Sequence, residues 1–227
     1  MTDSITESSV PPLAPVLANL REVGGPGFQA GRRRLVYRSN TRAVGADAYP
    51  TGLSLILDLR RIDEIDRLPH PLREHPGYRQ VPLFDPASEI ESAAEAVQLE
   101  EQYVDWLQRH RAAIPAVFLA LARPSGDALV CCSAGKDRTG VVSAVLARLW
   151  GADLDRIGAD YAASGAALAD QFAAELAATG DRDHTLIQQR CVPVVMTTVI
   201  EHIEDRYGSV AEYLLSLGLT AEQIDAL

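Results

Sequence analysis

The sequence predicts an α/β fold in which a small central, mostly parallel sheet is flanked by helices. Short apolar runs typical of buried strands occur in the first half, and residues 53–59 form the clearest of them. A second apolar run, residues 127–131, leads through a polar loop into a helical segment at 141–150. From residue 152 onward nearly every segment has helical spacing. Strands followed by helices favour a layered α/β domain.

The elements of the first half follow from composition and spacing. Residues 1–15 are polar and contain prolines, and we expect them to form a flexible N-terminal arm ahead of a single domain at 16–227. The domain is predicted to begin with a short structured stretch at 19–27, strands at 35–39, 53–59 and 78–84, and two helices within 88–123. The helices are indicated by an abundance of Ala, Glu, Leu and Gln, which are good helix formers.

The second half is punctuated by glycine and proline. A turn at 124–126 leads into the strand at 127–131, and the helix at 141–150 stops at Gly151. The remaining helices are predicted to be interrupted near 180–183 and at Pro193, and a last pair of short helices is predicted around Tyr207-Gly208 and Gly218.

Composition and charge exclude several classes of function. The 227-residue chain carries a formal net charge of -10, which works against binding to nucleic acid or to an anionic membrane surface. No apolar run reaches the roughly 20 residues needed to span a bilayer, so stable membrane insertion is not expected. The N-terminal residues do not resemble a secretory signal, which predicts a cytoplasmic protein, with secretion by a route without a classical signal left open. Three cysteines, an odd number, are expected to remain reduced thiols.

One loop combines the features of a site for phosphate or another oxyanion. It runs from Cys132 to Arg138, between the predicted strand and the predicted helix. Backbone N–H groups in a glycine-containing loop at a helix N-terminus converge on an anion, and the helix dipole adds positive potential. Arg138 can offer a planar fork to two phosphate oxygens. The residues predicted to bind phosphate are Ser133, Ala134, Gly135, Lys136, Asp137, Arg138 and Thr139.

Cys132 is the predicted catalytic nucleophile. A cysteine at a helix N-terminus beside cationic groups favours the thiolate, which is the nucleophilic form. Attack of this sulfur on phosphorus would give a cysteinyl-phosphate that water later hydrolyses. Thr139 would donate a hydrogen bond from its hydroxyl group to the sulfur when the sulfur leaves. This mechanism requires no metal and no organic cofactor, and the five histidines show no metal-binding spacing.

The leaving oxygen needs a proton, and two aspartates are candidate catalytic acids. Asp85 follows a predicted strand at a loop tip, whereas Asp137 lies inside the phosphate loop. We expect Asp85 to be the acid, because Asp137 has a cationic residue on each side and these charges favour its ionised form. Asp137 is kept as the alternative.

The segment CSAGKDRTG resembles the signature of the bacterial tyrosine-phosphatase-like proteins, which share the Cys-x5-Arg loop of protein tyrosine phosphatases and include a secreted mycobacterial tyrosine and lipid phosphatase. The other matching segments, all in the family's order, are Asn19 to Gly24, Tyr37-Arg38-Ser39, Asp58-Leu59-Arg60 followed by Glu64, Asp160-Tyr161, and Tyr207 to Leu214. The resemblance implies a protein tyrosine phosphatase-like fold, with Cys132 as nucleophile and Arg138 as phosphate ligand. It also implies that Lys136, the single lysine of the chain, adds a charge of the kind found in phosphoinositide phosphatases.

The sequence departs from the family at one position. The family has a histidine before the nucleophile, and here that residue is Cys131. One hypothesis is that Cys131 acts as a resolving thiol for an oxidised Cys132, although adjacent cysteines pair only with strain.

Three other features each have two interpretations. Residues Asp58, Arg60 and Glu64 could orient the phosphate loop from behind or could be ordinary paired surface charges. The run Arg32-Arg33-Arg34 could recruit phosphoinositide headgroups, but a solvated turn before a strand is favoured. The acidic region 89–106 could form a lid, but an amphipathic surface helix is favoured.

The predicted function is hydrolysis of phosphomonoesters on a phosphorylated protein or lipid. A deep cleft would select phosphotyrosine, whereas a wider mouth and Lys136 would admit phosphoserine, phosphothreonine or phosphoinositides. One alternative is a phosphate-sensing module without turnover, which the presence of Cys131 permits. A second alternative is a sulfur-transfer or arsenate-reducing enzyme, which the residues after Gly135 make less favourable.

Overall fold

The computed structural model describes residues 17–83, 98–123 and 126–227. At its centre lies a five-stranded mixed sheet with the order β1-β2-β5-β3-β4. The strands are β1 (Arg21–Glu22), β2 (Val36–Asn40), β3 (Leu55–Asp58), β4 (Tyr78–Gln80) and β5 (Ala128–Cys132). Strand β1 runs antiparallel to β2, and the other three pairs are parallel. The predicted small, mostly parallel sheet is therefore confirmed, whereas the predicted arm at 1–15 lies outside the described residues.

Strand β5 occupies the middle of the sheet. It pairs with β2 on one side and with β3 on the other, so that Cys132 lies opposite Asn40 and Cys131 lies opposite Asp58. All five of its residues are buried. A strand covered on both faces explains the uninterrupted apolar sequence from which it was predicted.

Ten helices are present in the described residues. They are α1 (Ile62–Arg67), α2 (Leu99–Arg109), α3 (Ile114–Ala122), α4 (Asp137–Leu149), α5 (Leu154–Ala167), α6 (Ala169–Ala178), α7 (Arg182–Gln188), α8 (Pro193–Tyr207), α9 (Val210–Ser216) and α10 (Ala221–Asp225). A short 3₁₀ helix spans Ala46–Ala48. The predicted break near 180–183 falls between α6 and α7, although α7 already begins at Arg182, and the break predicted at Pro193 precedes α8, of which Pro193 is the first residue. The predicted last pair of short helices corresponds to α9 and α10. Helix α1 was not predicted.

The two faces of the sheet carry separate cores. The larger core joins the side chains of Leu57, Val130 and Cys132 to helices α4, α5, α8 and α9. The smaller core contains Ile56 and Leu129, which point to the opposite face because strand side chains alternate. Helix α4 contributes nine buried residues, so its N-terminus is held firmly at the end of β5.

Within the described ranges, no helix is both long enough and apolar enough to cross a bilayer.

Candidate active site

The phosphate loop lies at the carboxyl end of the parallel strands, where α/β sheets commonly bind ligands. Strand β5 ends at Cys132 and helix α4 begins at Asp137, so four residues, 133–136, form the turn between them. Gly135 has a φ of 66°, and a Cβ atom there would lie 2.3 Å from the backbone carbonyl of Ser39. Both the left-handed backbone and the close contact require glycine at this position.

The carbonyl groups of the loop are bound from outside the loop. Three donors reach them: Thr41 N to Ser133 O (3.1 Å), Asn19 Nδ2 to Ala134 O (3.0 Å), and Arg38 Nη2 to Gly135 O (2.9 Å). Asn19 Nδ2 also donates to Gly135 O at 3.1 Å. Among the described residues, the N–H groups of 133–136 have no hydrogen-bond acceptor. Carbonyls that face outward leave these amides, together with those of the first turn of α4, available to an anion.

A buried ion network holds two of these donors in place. Asp160 on α5 accepts hydrogen bonds from Arg21 Nε (2.6 Å) and Arg38 Nη1 (2.8 Å), and Arg21 also donates to the side-chain oxygen of Asn19. Burial raises the pKa of Asp160, but the charges of Arg38 and Arg21 outweigh that effect and lower it overall. Burial and the nearby charge of Arg38 lower the pKa of Arg21 to about 10. The network therefore connects β1, β2 and α5 to the side chains that bind the carbonyl groups of the phosphate loop.

Glu64 on α1 fixes Arg138. The two guanidinium nitrogens Nη1 and Nη2 donate to Glu64 Oε2 and Oε1 at 2.6 and 2.7 Å, and Ser133 Oγ donates to Glu64 Oε1 at 2.8 Å. Burial raises the pKa of Glu64, but the hydrogen bonds and charge of Arg138 prevail and lower it to about 2. Burial lowers the pKa of Arg138, but its hydrogen bonds to Glu64 and the charge of that carboxylate raise it overall. Of the two interpretations of Glu64, loop orientation is the one its contacts support.

Asp58 and Arg60 behave differently from Glu64. They form a buried ion pair with Nη2 of Arg60 and Oδ2 of Asp58 2.7 Å apart, and Tyr78 donates its hydroxyl to the same carboxylate at 3.0 Å. The remaining guanidinium nitrogen of Arg60 donates to Leu68 O. This pair stabilises the ends of β3 and β4 and makes no hydrogen bond to the phosphate loop among the described residues.

The side chain of Lys136 points into the protein. It is 2 % exposed, and its ammonium group donates to Asp137 Oδ1, to Tyr103 OH (3.3 Å) and to Tyr161 OH (3.3 Å). Burial lowers the pKa of Lys136, but the adjacent charge of Asp137 raises it overall. Tyr103 on α2 also donates its hydroxyl to Asp137. Asp137 therefore accepts hydrogen bonds from two buried donors.

The two adjacent cysteines face opposite sides of β5. Cys132 belongs to the larger core and is 1 % exposed, at the point where the strand meets the loop. Cys131 is fully buried, its thiol donates to Leu57 O at 3.7 Å, and burial raises its pKa well above the usual range. Side chains that alternate across a strand point apart, which opposes the hypothesis that Cys131 resolves an oxidised Cys132.

The remaining predicted site residues are placed as follows. Asp85 lies outside the described residues, so of the two candidate acids the structure describes the position of Asp137. Thr139 lies in the first turn of α4, and its buried hydroxyl has no hydrogen-bond partner in the described part of the chain. That hydroxyl is thus not committed to another protein group.

A cleft of about 500 Å³ opens beside the loop. Helices α6 and α7 form its other wall, and its lining includes Ala134, Lys136, Asp137, Phe172, Glu175 and His184. A larger cavity of about 750 Å³ lies between β4 and α3, beside the start of β3, and no residue of the phosphate loop lines it. The smaller cleft is the one that borders the phosphate loop, through Ala134, Lys136 and Asp137.

The arginine run 32–34 and the described part of the acidic region 89–106 both contact the rest of the protein. Arg32 stacks on Trp150 at 4.0 Å from the ring centroid, and Arg34 donates to Leu121 O at 2.6 Å. The arginine run lies in a turn before β2 as expected, but the prediction of a solvated turn is wrong for Arg34, which is buried. Of the region 89–106, only residues from 98 onward are described, and there α2 buries Tyr103 against the loop.

Sequence reasoning missed four residues that shape the loop. Asn19, Arg38 and Asp160 were noted only as parts of segments that resemble the family, and their contacts with the loop were not predicted. Tyr103 gave no signal, because an aromatic residue on an amphipathic helix normally indicates core packing. In the described ranges, no three His, Cys, Asp or Glu side chains lie close enough together to hold a metal ion.

Comparisons with known proteins agree with this geometry. A family model described as the tyrosine phosphatase family matches residues 14–227. The chain is also similar to a tyrosine-protein phosphatase from Nostoc commune, with 28 % identity over 260 residues that cover 98 % of this chain and 86 % of that protein. The loop geometry and the match over almost the whole chain lead to one conclusion: the chain belongs to the tyrosine phosphatase family.

Proposed function

We propose that this protein hydrolyses phosphomonoesters, phosphotyrosine among them, through a cysteinyl-phosphate intermediate on Cys132. The observation that carries the proposal is the binding of three loop carbonyls from outside the loop, which leaves the amides of the loop after Cys132 available to an anion. Membership of the tyrosine phosphatase family supports phosphatase activity. A phosphorylated substrate is the partner that such a loop would bind.

The first chemical step transfers the phosphoryl group to sulfur. The thiolate of Cys132 attacks phosphorus, the S–P bond forms, and the bond between phosphorus and the leaving oxygen breaks. The leaving oxygen takes a proton from a carboxylic acid, Asp85 or Asp137. Charge that develops on the phosphoryl oxygens is stabilised by the loop amides and by Arg138, which Glu64 already holds in position.

The second step releases phosphate. A water molecule attacks phosphorus and gives its proton to the carboxylate formed in the first step, while the S–P bond breaks and the electron pair returns to sulfur. Thr139 donates a hydrogen bond to the departing sulfur, a role consistent with its uncommitted buried hydroxyl. Every group in this cycle belongs to the protein, the substrate or water.

The proposal is tested with p-nitrophenyl phosphate and a phosphotyrosine peptide, with Cys132→Ser as the blank. We expect turnover in the wild-type protein and none in Cys132→Ser. Acid-quenched wild-type protein should gain the mass of one phosphoryl group, located on Cys132 by peptide mapping. Binding of vanadate without turnover of either substrate would instead support a phosphate-sensing module. Thiol-dependent arsenate reduction would support the sulfur-transfer or arsenate-reducing alternative.

A further inference from the structure

Helix α3 has an apolar outer face. None of the residues in Ile114–Ala122 carries a charged or hydrogen-bonding side chain. Four of them are buried in the larger core, whereas Ala116 is exposed and Leu119 and Ala120 are half-buried. A helix that is apolar all round is normally covered on every side. The outer face of α3 therefore has the composition of a surface that contacts another apolar group.

This face forms one wall of the cavity of about 750 Å³ between β4 and α3. The other wall consists of β4 and the residues around it, and Val81 adds an apolar side chain there. The basic side chains that line the cavity are Arg79, Arg123 and His75, and no carboxylate of the described residues lines it. In a chain with a net charge of -10, such a local positive surface favours an acidic partner.

The two arginines are available to a partner. Arg79 is exposed, and its Nη1 atom donates to the backbone carbonyls of Pro76 (2.9 Å) and Tyr78 (2.6 Å). Arg123 is exposed at the end of α3. Within the parts of the chain that the structure describes, neither guanidinium forms an ion pair with a carboxylate.

Strand β4 has a free edge beside this cavity. It is the last strand of the sheet, and among the described strands it pairs only with β3. Gly77 O and Val81 N bond to β3, at 3.0 and 2.9 Å. Because alternate residues of a parallel strand bond to the same neighbour, the backbone N–H and C=O of Gln80 point away from β3. These groups can bond to an additional extended chain.

We propose that the groove between β4 and α3 binds an extended acidic segment of a partner protein, which adds a strand to the free edge of β4. Apolar side chains of the segment would contact Leu119 and Ala120, and its carboxylates would pair with Arg79 and Arg123. A second copy of this chain fits less well, since two paired β4 edges would bring like charges together. A membrane surface offers no extended chain for the backbone of Gln80. The groove contains no residue of the phosphate loop, so this proposal does not depend on the proposed function.

The first test measures binding by fluorescence anisotropy. The probe is a labelled peptide with blocked ends, Glu-Thr-Val-Thr-Glu, which as a strand presents two carboxylates and one apolar side chain on the same face. Saturating vanadate occupies the phosphate loop throughout. Wild-type protein should bind this peptide saturably and should bind Lys-Thr-Val-Thr-Lys at least about tenfold more weakly. Absence of saturable binding would overturn the proposal, and so would binding only to anionic lipid vesicles or only to a second copy of the chain.

The second test changes the charge of the groove. Arg123→Glu should raise the Kd for the acidic peptide by about tenfold or more, because a repulsive charge replaces an attractive one. Arg206→Glu makes the same change in net charge on the exposed surface of α8, outside the lining of the groove, and should keep the wild-type Kd. Equal effects of the two variants would show attraction to net charge alone and would overturn the groove as the binding site. Urea unfolding checks that both variants are folded.

The third test concerns the added strand. One version of the peptide is N-methylated at both threonines, and another is N-methylated at the valine. Alternate amides of a strand point to opposite edges, so one version should lose binding while the other keeps it. Equal Kd values for the two versions would contradict strand addition to β4.

Discussion

Replacing Glu64 by Gln tests how the phosphate-binding arginine is held. In the native protein, both Nη atoms of Arg138 donate to the carboxylate, and Ser133 donates to it as well. Glutamine has nearly the same shape, but it offers one acceptor oxygen and no charge. The substitution therefore removes the charge and one of the two parallel hydrogen bonds while it preserves the volume of the side chain.

The size of the effect follows from the pKa of Glu64. A fall from the ordinary value of 4.5 to about 2 is about 2.5 pKa units, or about 3.4 kcal/mol at most. The side chains of Arg138 and Glu64 retain 21 % and 15 % of their exposure, and solvent screening weakens a pair in contact with water. We therefore expect Glu64→Gln to lower the free energy of unfolding by about 2 kcal/mol near neutral pH.

The pH dependence of this loss has a defined sign. The pKa of Glu64 is depressed in the folded state, so its contribution is fully present above the unfolded value of 4.5 and is lost as pH falls toward about 2. The difference in unfolding free energy between wild type and Glu64→Gln should therefore fall to less than half between about pH 5 and about pH 3. Urea unfolding followed by circular dichroism measures this difference at each pH.

Two results would refute this account of Glu64. One is a difference in unfolding free energy that stays constant over the acidic range, since a purely steric effect does not titrate. The other is an unchanged affinity for vanadate, because an arginine no longer fixed by its carboxylate should bind an oxyanion less tightly. Glu74→Gln is a suitable control, since Glu74 is an exposed acid paired with Arg73 and should change neither quantity.

Three further substitutions test other parts of the site. Asn19→Asp replaces the donor to two loop carbonyls by an acceptor. The Kd for vanadate, measured by calorimetry, should therefore rise by about tenfold or more. An unchanged Kd would contradict the role given to the loop carbonyls. Gly135→Ala introduces a Cβ atom into a left-handed backbone 2.3 Å from another chain segment. We expect the free energy of unfolding in urea to fall by more than about 1 kcal/mol and vanadate binding to weaken. Wild-type behaviour in both assays would contradict the described loop geometry. Asp85→Asn should remove the limb of the kcat profile that reports the proton donor, while Asp137→Asn should mainly raise KM; the reverse pattern would exchange their roles.

The parts of the site that are contiguous in sequence could be predicted from sequence. Cys132 and Arg138 belong to one strand, loop and helix, so the spacing of a few neighbouring residues was enough to indicate an anion site. The sheet was predictable for a similar reason, because the central strand is buried on both faces and its apolar run is short and sharply bounded. Helix α1 was missed because it has six residues, none of them buried, and therefore leaves no periodic apolar signal.

The groups that shape the loop from outside could not be predicted in the same way. Asn19 and Arg38 lie about a hundred residues before the loop in sequence, and Asp160 lies on a helix after it. The likeness to a family marked their segments, but a segment does not reveal which donor reaches which carbonyl. Those contacts depend on the pairing of β2 with β5 and on the packing of α5, which are tertiary properties.

Lys136 shows most clearly that the type of a residue does not by itself determine the function of its side chain. A lone lysine next to a nucleophile and an arginine suggests a substrate-binding charge, and its position in the loop is compatible with that interpretation. Its direction is set instead by Tyr103 and Tyr161, which come from α2 and α5 and provide a buried polar site that suits an ammonium paired with Asp137. Paired in this way, the lysine side chain holds Asp137 and the two buried hydroxyls together and so helps to order the loop. The direction of the lysine side chain therefore depends on two tyrosines outside the phosphate loop.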